Sequence, residues 1–140
     1  MRPPFKFSAK TRVGFSDTDA QGIVYYGRYM PYFDLARVEY HRTLGLLRVE
    51  SRGDFVMRAM HVEYHAPARF DDEIEIDVRV ARIGRTSITY EFAAYLAQEV
   101  LAVTASQTLV LVDLAVPEAC QIPQSFRDPI VRLEGADVDA

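Results

Sequence analysis

Polar and apolar positions change period along the chain, and each change marks a different element. Between residues 5 and 14, apolar Phe5, Phe7, Ala9 and Val13 alternate with polar Lys6, Ser8, Lys10 and Arg12, the period of a half-buried strand. From Tyr26 the apolar positions fall at Tyr26, Tyr29, Met30, Phe33, Ala36, Tyr40, Leu44 and Leu47. Those spacings of three and four predict a helix that buries one stripe. Gly45 supplies its stop, because glycine takes the left-handed conformation that ends a helix at little cost. Pro31 constrains the start: beyond the first turn a proline removes a hydrogen bond and clashes with the carbonyl four residues back. Regular helix therefore begins near Arg28, or its first turn is distorted.

After a polar connection at residues 50–54, four consecutive strands are predicted. The first covers residues 55–66. The second, Glu73-Ile74-Glu75-Ile76-Asp77-Val78-Arg79-Val80, alternates strictly, which predicts one wet face and one dry face. Gly84 and Arg85 mark a turn, and residues 87–97 then carry Ile88, Tyr90, Phe92, Ala94 and Leu96 on one face. The last strand, residues 100–112, is apolar on both sides, with Leu101, Val103, Leu109 and Leu111 opposing Val100, Val110 and Val112. Such a strand needs a cover on its second side, for which a second subunit is the candidate. From Pro117 the chain reads as a polar tail, with residues 127–140 expected to be disordered, above all from Glu134 onward. One long helix and about five mostly antiparallel strands, in a single domain with its core over about residues 5–115, make an α+β arrangement.

Composition narrows the function. At 140 residues and a formal net charge of −4, the chain is of one-domain length and has no electrostatic footprint for nucleic acid. No apolar run approaches the ~18 residues of a membrane span, and the first residues lack the apolar core of a secretory signal. A cytoplasmic location is the expectation. The single cysteine, Cys120, excludes an internal disulfide framework and a cysteine-rich zinc module, and reads as a free structural thiol. His61, Glu63 and His65 look like metal ligands on paper, but along a strand the two histidines stand about 13 Å apart, too far for one ion. No metal is expected there, and the triplet reads as a wet or cleft-lining strand face. Neither a Gly-x-Ser-x-Gly elbow nor a glycine-rich phosphate loop is present.

Candidate chemistry concentrates in Asp17-Thr18-Asp19-Ala20-Gln21-Gly22-Ile23-Val24-Tyr25-Tyr26, between the first strand and the helix. One reading is purely conformational: Asp17 or Asp19 closes an Asx-turn and Gly22 takes a positive φ. The other is chemical, since a carboxylate beside the start of a helix faces free backbone N–H groups that can bind a developing oxyanion. Such a pair could hydrolyse an activated acyl group.

This stretch, continued by Gly27, Arg28, Tyr29, Phe33, Ala36 and Arg37, resembles the hot-dog-fold acyl-CoA thioesterases of the 4-hydroxybenzoyl-CoA thioesterase class. A second block, Phe55-Val56-Met57-Arg58 with Val62-Glu63-Tyr64-His65-Ala66-Pro67-Ala68-Arg69-Phe70-Asp71-Asp72, is similar to the branch containing the tol-pal cluster acyl-CoA thioesterase. The resemblance covers roughly residues 8–113. It implies a hot-dog fold, an antiparallel five-stranded sheet wrapped around the helix from about residue 28 to 44, assembled as a homodimer or homotetramer. It also implies hydrolysis of an acyl-CoA to the free acid and CoA, with CoA or an acyl carrier protein as donor and no cofactor beyond the CoA of the substrate.

The motif's second aspartate, Asp19, corresponds to the catalytic carboxylate, acting as nucleophile or general base. The Tyr26 backbone N–H would polarise the thioester carbonyl; Tyr26 stands where tol-pal cluster relatives often carry His, and the amide survives that change. Gly22, Val24, Tyr25 and Tyr29 are expected to line the substrate site. Arg82 and Arg85, flanking Gly84, are expected to meet the CoA phosphates, with the Arg85 turn reaching the site from a neighbouring subunit. The alternatives are a hydratase or dehydratase acting on acyl thioesters, and a non-catalytic acyl-CoA binding protein.

Overall fold

The computed structural model describes residues 2–48 and 53–140. Strands β1 (Ser8–Arg12), β2 (Asp54–Tyr64), β3 (Glu73–Ile83), β4 (Ser87–Tyr95), β5 (Leu101–Asp113) and β6 (Glu118–Ala119) accompany helices α1 (Tyr29–Thr43) and α2 (Gln124–Glu134). The strands form one antiparallel sheet in the order β1-β3-β4-β5-β2, with the short β6 paired to the end of β5. The sheet curls, and α1 packs on its concave side against β1 and β3. Of the predicted connection at residues 50–54, residues 50–52 lie outside the described residues, and Asp54 already belongs to β2.

The helix begins at Tyr29, preceded by a 3-10 turn over Tyr26–Arg28. Pro31 is therefore the third helical residue. Its missing N–H is one that the first turn leaves unpaired in any sequence, so the proline costs no helical bond. Tyr29, Phe33, Ala36 and Tyr40 form the buried stripe, joined by Tyr32, whereas Tyr26 and Leu47 at its two predicted ends are exposed. Leu44 caps the helix and Gly45 follows at φ +73°, the left-handed turn expected of it.

The dry face of β3 is Ile74, Ile76, Val78 and Val80, each 0% exposed and each contributing about 1.5–3 kcal/mol. These residues meet Phe33 and Tyr40 of α1 and Phe92 of β4 in one core. The opposite face is less wet than alternation predicts, because Asp77 is buried. Arg2 crosses that face, bonding Glu75 at 2.8 Å and Asp77 at 3.2 Å with its guanidinium 3.8 Å above the Tyr95 ring. Burial pushes the Asp77 carboxyl above its ordinary value, an effect that Arg2 offsets only in part. On β5 the inward positions Val103, Ala105, Leu109 and Leu111 are buried. The outward positions Thr104, Ser106 and Thr108 are polar and half-buried, so the predicted apolar second side exists only at the strand's ends.

The main correction is at the C-terminus, where the predicted disordered tail is a helix and an edge cover. Phe126, Ile130 and Glu134 fall at i, i+4 and i+8 on the buried face of α2. Beyond β1 the edge of β3 would be open, and the last residues close it. The Glu134 carboxylate accepts the Val80 N–H (3.0 Å) and the Tyr40 hydroxyl (2.6 Å), while Asp139 exchanges backbone bonds with Ala81 and Ile83. Cys120 is buried beside this segment as a free thiol.

Candidate active site

Residues 17–25 form a tight hairpin turn. The Asp19 N–H donates to the Ile23 carbonyl (2.9 Å), the Gly22 N–H to the Asp19 carbonyl (3.0 Å) and the Tyr25 N–H to the Asp17 carbonyl (2.9 Å). One Asp19 carboxylate oxygen accepts the Gln21 N–H at 2.8 Å, the geometry of an Asx-turn. Gly22 sits at φ +78°, where a Cβ would be strained. The conformational reading thus holds, and it coexists with the chemical one. The turn leaves Asp19 partly exposed and delivers the chain to the 3-10 turn that opens the helix. At that position the first N–H groups, that of Tyr26 among them, have no helical carbonyl to bond.

Asp19 and Tyr26 line one crevice of about 300 Å³, with Gln21, Ile23, Val24, Tyr29, Tyr64, His65, Ala66 and Pro67 completing its wall. Tyr64 spans it: its hydroxyl donates to the Tyr26 carbonyl (3.0 Å) and its ring meets Tyr29 edge-on at 5.7 Å. Burial raises the Tyr29 hydroxyl's pKa, and that of Tyr64 also lies above its ordinary value. Both stay neutral at physiological pH. Asp19 and the residue that opens the 3-10 turn, Tyr26, thus share one largely apolar crevice. A cleft of about 440 Å³ at the β1 edge is larger, but its cations are matched: Arg2 by Glu75 and Asp77, Lys10 by Glu73.

Of the residues read from sequence, Asp19, Tyr26, Val24 and Tyr29 meet at this crevice. Gly22 shapes the turn beside it. Tyr25 turns aside, its ring against that of Tyr26 with centroids 4.2 Å apart and planes tilted by 37°. Arg82 and Arg85 lie at the far end of β3, roughly 30 Å along the strand from its start. There Arg82 pairs with Asp139 at 3.6 Å and the Arg85 carbonyl accepts the Ile122 N–H. Within one chain they do not join Asp19. Among the described residues no cluster of metal-binding side chains occurs; His61 and Glu63 are exposed on the outer face of β2.

Tyr64 is absent from the predicted site, although the Val62–Pro67 motif carries it, whereas His65 belongs to the triplet expected on a wet or cleft-lining strand face. His65 lines the crevice, and its Nε2 stands 3.0 Å from the Thr104 hydroxyl. Asp17, named in the conformational reading as a turn-closing residue, has a larger part. It is buried, accepting the Tyr32 hydroxyl at 2.7 Å, the Gly14 N–H at 2.9 Å and the Arg28 guanidinium at 2.7 Å.

The sequence profile of the thioesterase superfamily matches residues 21–103. The chain is 34% identical over 123 residues to the acyl-CoA thioester hydrolase YbgC of Escherichia coli, spanning 86% of this chain and 92% of that protein. Among solved structures, a thioesterase from Thermus thermophilus complexed with coenzyme A and zinc superposes with a TM-score of 0.82 at 28% identity, covering 96% of this chain and 98% of that one. A 1,4-dihydroxy-2-naphthoyl-CoA thioesterase from Synechocystis shares the fold, with a TM-score of 0.80 at 20% identity over 91% of this chain and 97% of that one.

Proposed function

The chain belongs to the thioesterase superfamily, and on that premise we propose that it hydrolyses acyl-CoA thioesters through Asp19 and the Tyr26 backbone N–H. The observation that carries this reading is that the carboxylate and the helix start line a single crevice. The substrate carbonyl oxygen accepts the Tyr26 N–H, which stabilises the negative charge that grows as the acyl carbon becomes tetrahedral. Asp19 then either attacks that carbon or takes a proton from an attacking water. The C–S bond breaks and CoA leaves as a thiolate that acquires a proton; where Asp19 is the nucleophile, water then hydrolyses the acyl–Asp19 anhydride, and on either route the acyl group departs as the free acid. Carboxylate and amide between them supply every role, so the route calls for no metal or redox cofactor.

The working unit is proposed to include a second copy of the chain. β2 is an eleven-residue strand at the end of the sheet order, and Met57, Met60 and Tyr64 on its concave side are 43%, 44% and 51% exposed. An open edge beside exposed apolar side chains favours strand-to-strand association. A neighbouring copy is also the source from which the Arg85 turn could meet CoA phosphates, since within one chain it lies far from the crevice.

Purified protein incubated with CoA thioesters of short aliphatic, long aliphatic and aromatic acids should release free thiol from at least one class. A second reading, hydration or dehydration of an acyl thioester, draws on His65 in the crevice, because proton transfer at carbon calls for an imidazole or a paired acid and base. Conversion of an enoyl or 3-hydroxyacyl thioester without thiol release would favour that reading over hydrolysis.

A further inference from the structure

Hydrolysis across a carboxylate and an amide requires the two to be held at a fixed separation, and they sit on different local structures. Asp19 belongs to the hairpin turn, and the Tyr26 N–H to the start of the helix. We propose that Asp17 is the positioning residue that locks these two structures together. The inference rests on the reading of Asp19 and Tyr26 given above and adds a role that neither of them performs.

Asp17 holds both sides. Its backbone carbonyl accepts the Tyr25 N–H at 2.9 Å, closing the base of the hairpin that carries Asp19 two residues on. Its side chain reaches past the crevice residues to the helix. Oδ1 accepts Arg28 Nε and Nη2 at 3.0 and 2.7 Å, and Oδ2 accepts the Tyr32 hydroxyl and the Gly14 N–H at 2.7 and 2.9 Å. Tyr26 lies between residue 25, tied to the Asp17 backbone, and residue 28, tied to the Asp17 carboxylate. Four donors converge on two oxygens, which only an ionised carboxylate can satisfy because it presents acceptors alone. Burial would raise this carboxyl's pKa, but the bonds from Tyr32, Gly14 and Arg28 outweigh it and hold it below the ordinary value. The clamp is therefore intact across the neutral range. It does not reach the substrate: Asp17 does not line the crevice.

A misplacement of about 1 Å between reacting groups costs on the order of 100-fold in rate. Asp17→Asn keeps the volume but offers one oxygen and a donating amide, so Arg28 loses its acceptor while the turn keeps a hydrogen-bonding side chain. Arg28→Met breaks the same link from the partly exposed side, with its stem retained. Each variant, assayed as folded protein by thiol release, should show kcat reduced about 10- to 100-fold with KM changed less than about threefold. The double variant should be no slower than the slower single, since both remove one interaction. Arg28→Lys, which keeps a cation at the carboxylate, should restore part of the rate.

Rate losses that multiply in the double variant, or kcat at wild-type level in both singles with only the melting temperature lowered, would overturn the positioning role. If Asp17→Asn does not fold, Arg28→Met and Arg28→Lys carry the test. Asp19→Asn in the same assay separates the two levels of the claim. Wild-type turnover there removes the reading of the site and the positioning role with it. Loss of turnover there, with Arg28→Met at wild-type kcat, removes the positioning role alone.

Discussion

Acidification should destabilise the fold through one imidazole. His41 occupies the last turn of α1, its ring edge-on to Phe126 at 5.5 Å and its Nε2 hydrogen-bonded to the Tyr90 hydroxyl. A helix C-terminus favours a cation by about 0.3–1 kcal/mol. Burial, helped by the charge of Arg37, wins over that and pulls the His41 pKa from 6.5 down to about 4. The folded state thus resists a proton that the unfolded chain accepts near pH 6.5. The stabilisation from a neutral His41 is complete above that pH and is lost as pH falls toward 4. At about 1.4 kcal/mol per pH unit, the loss between pH 8 and 4.5 is on the order of 2 to 3 kcal/mol.

His41→Gln removes the titration and leaves Tyr90 a polar neighbour. Urea unfolding of both proteins from pH 8 to 4.5, at one protein concentration because association shifts apparent stability, isolates the effect. The unfolding free energy of the wild type should fall by 2 to 3 kcal/mol more than that of the variant, on the order set by the pKa difference. Parallel pH profiles, or a wild type that gains on the variant in acid, would refute the reasoning.

Two further outcomes follow from the packing. Tyr40→Phe deletes only the hydroxyl that donates to the buried Glu134 carboxylate at 2.6 Å, and should lower stability in urea by about 1–3 kcal/mol, the cost of leaving a buried charge short of a donor. Asp at both positions 57 and 60 puts two charges on the exposed apolar side of β2; light scattering should then report a smaller assembly than the wild type.

Sheet and helix were legible because their burial is periodic. The alternation at residues 73–80 and the three-and-four spacing from Tyr29 to Tyr40 each describe a surface that water leaves on one side only. The limits of that reading are equally physical. Asp77 reads as a wet position, and only a residue 75 positions earlier in the chain, Arg2, makes it a buried one. Helix α2 carries Pro129 in its interior, a residue that normally breaks a helix. Its buried face rests on Phe126, Ile130 and Glu134, of which the last is polar and takes its two donors, the Tyr40 hydroxyl and the Val80 N–H, from positions remote in sequence, both on Oε2.

The candidate site divides in the same way. Asp19, Gly22 and Tyr26 form a local motif and could be read from neighbouring letters. Tyr64 reaches the crevice through the pairing of β2 with β5, and His65 just beyond it through its N–H bond to the Ala102 carbonyl, contacts between segments about forty residues apart. Arg82 and Arg85 are expected at the CoA phosphates from the family resemblance and their charge, and the length of β3 separates them from Asp19 within one chain.

The claim on which the rest depends is that the Asp19 carboxylate drives thioester cleavage. Its most direct test is the turnover of Asp19→Asn on the CoA thioester that the wild type cleaves fastest. The asparagine oxygen can still accept the Gln21 N–H, so the variant loses a charge and keeps the turn. Thiol release should fall by about two or more orders of magnitude, the scale of losing a positioned proton-transfer group or nucleophile, with affinity for CoA retained. Turnover within about threefold of the wild type would contradict it.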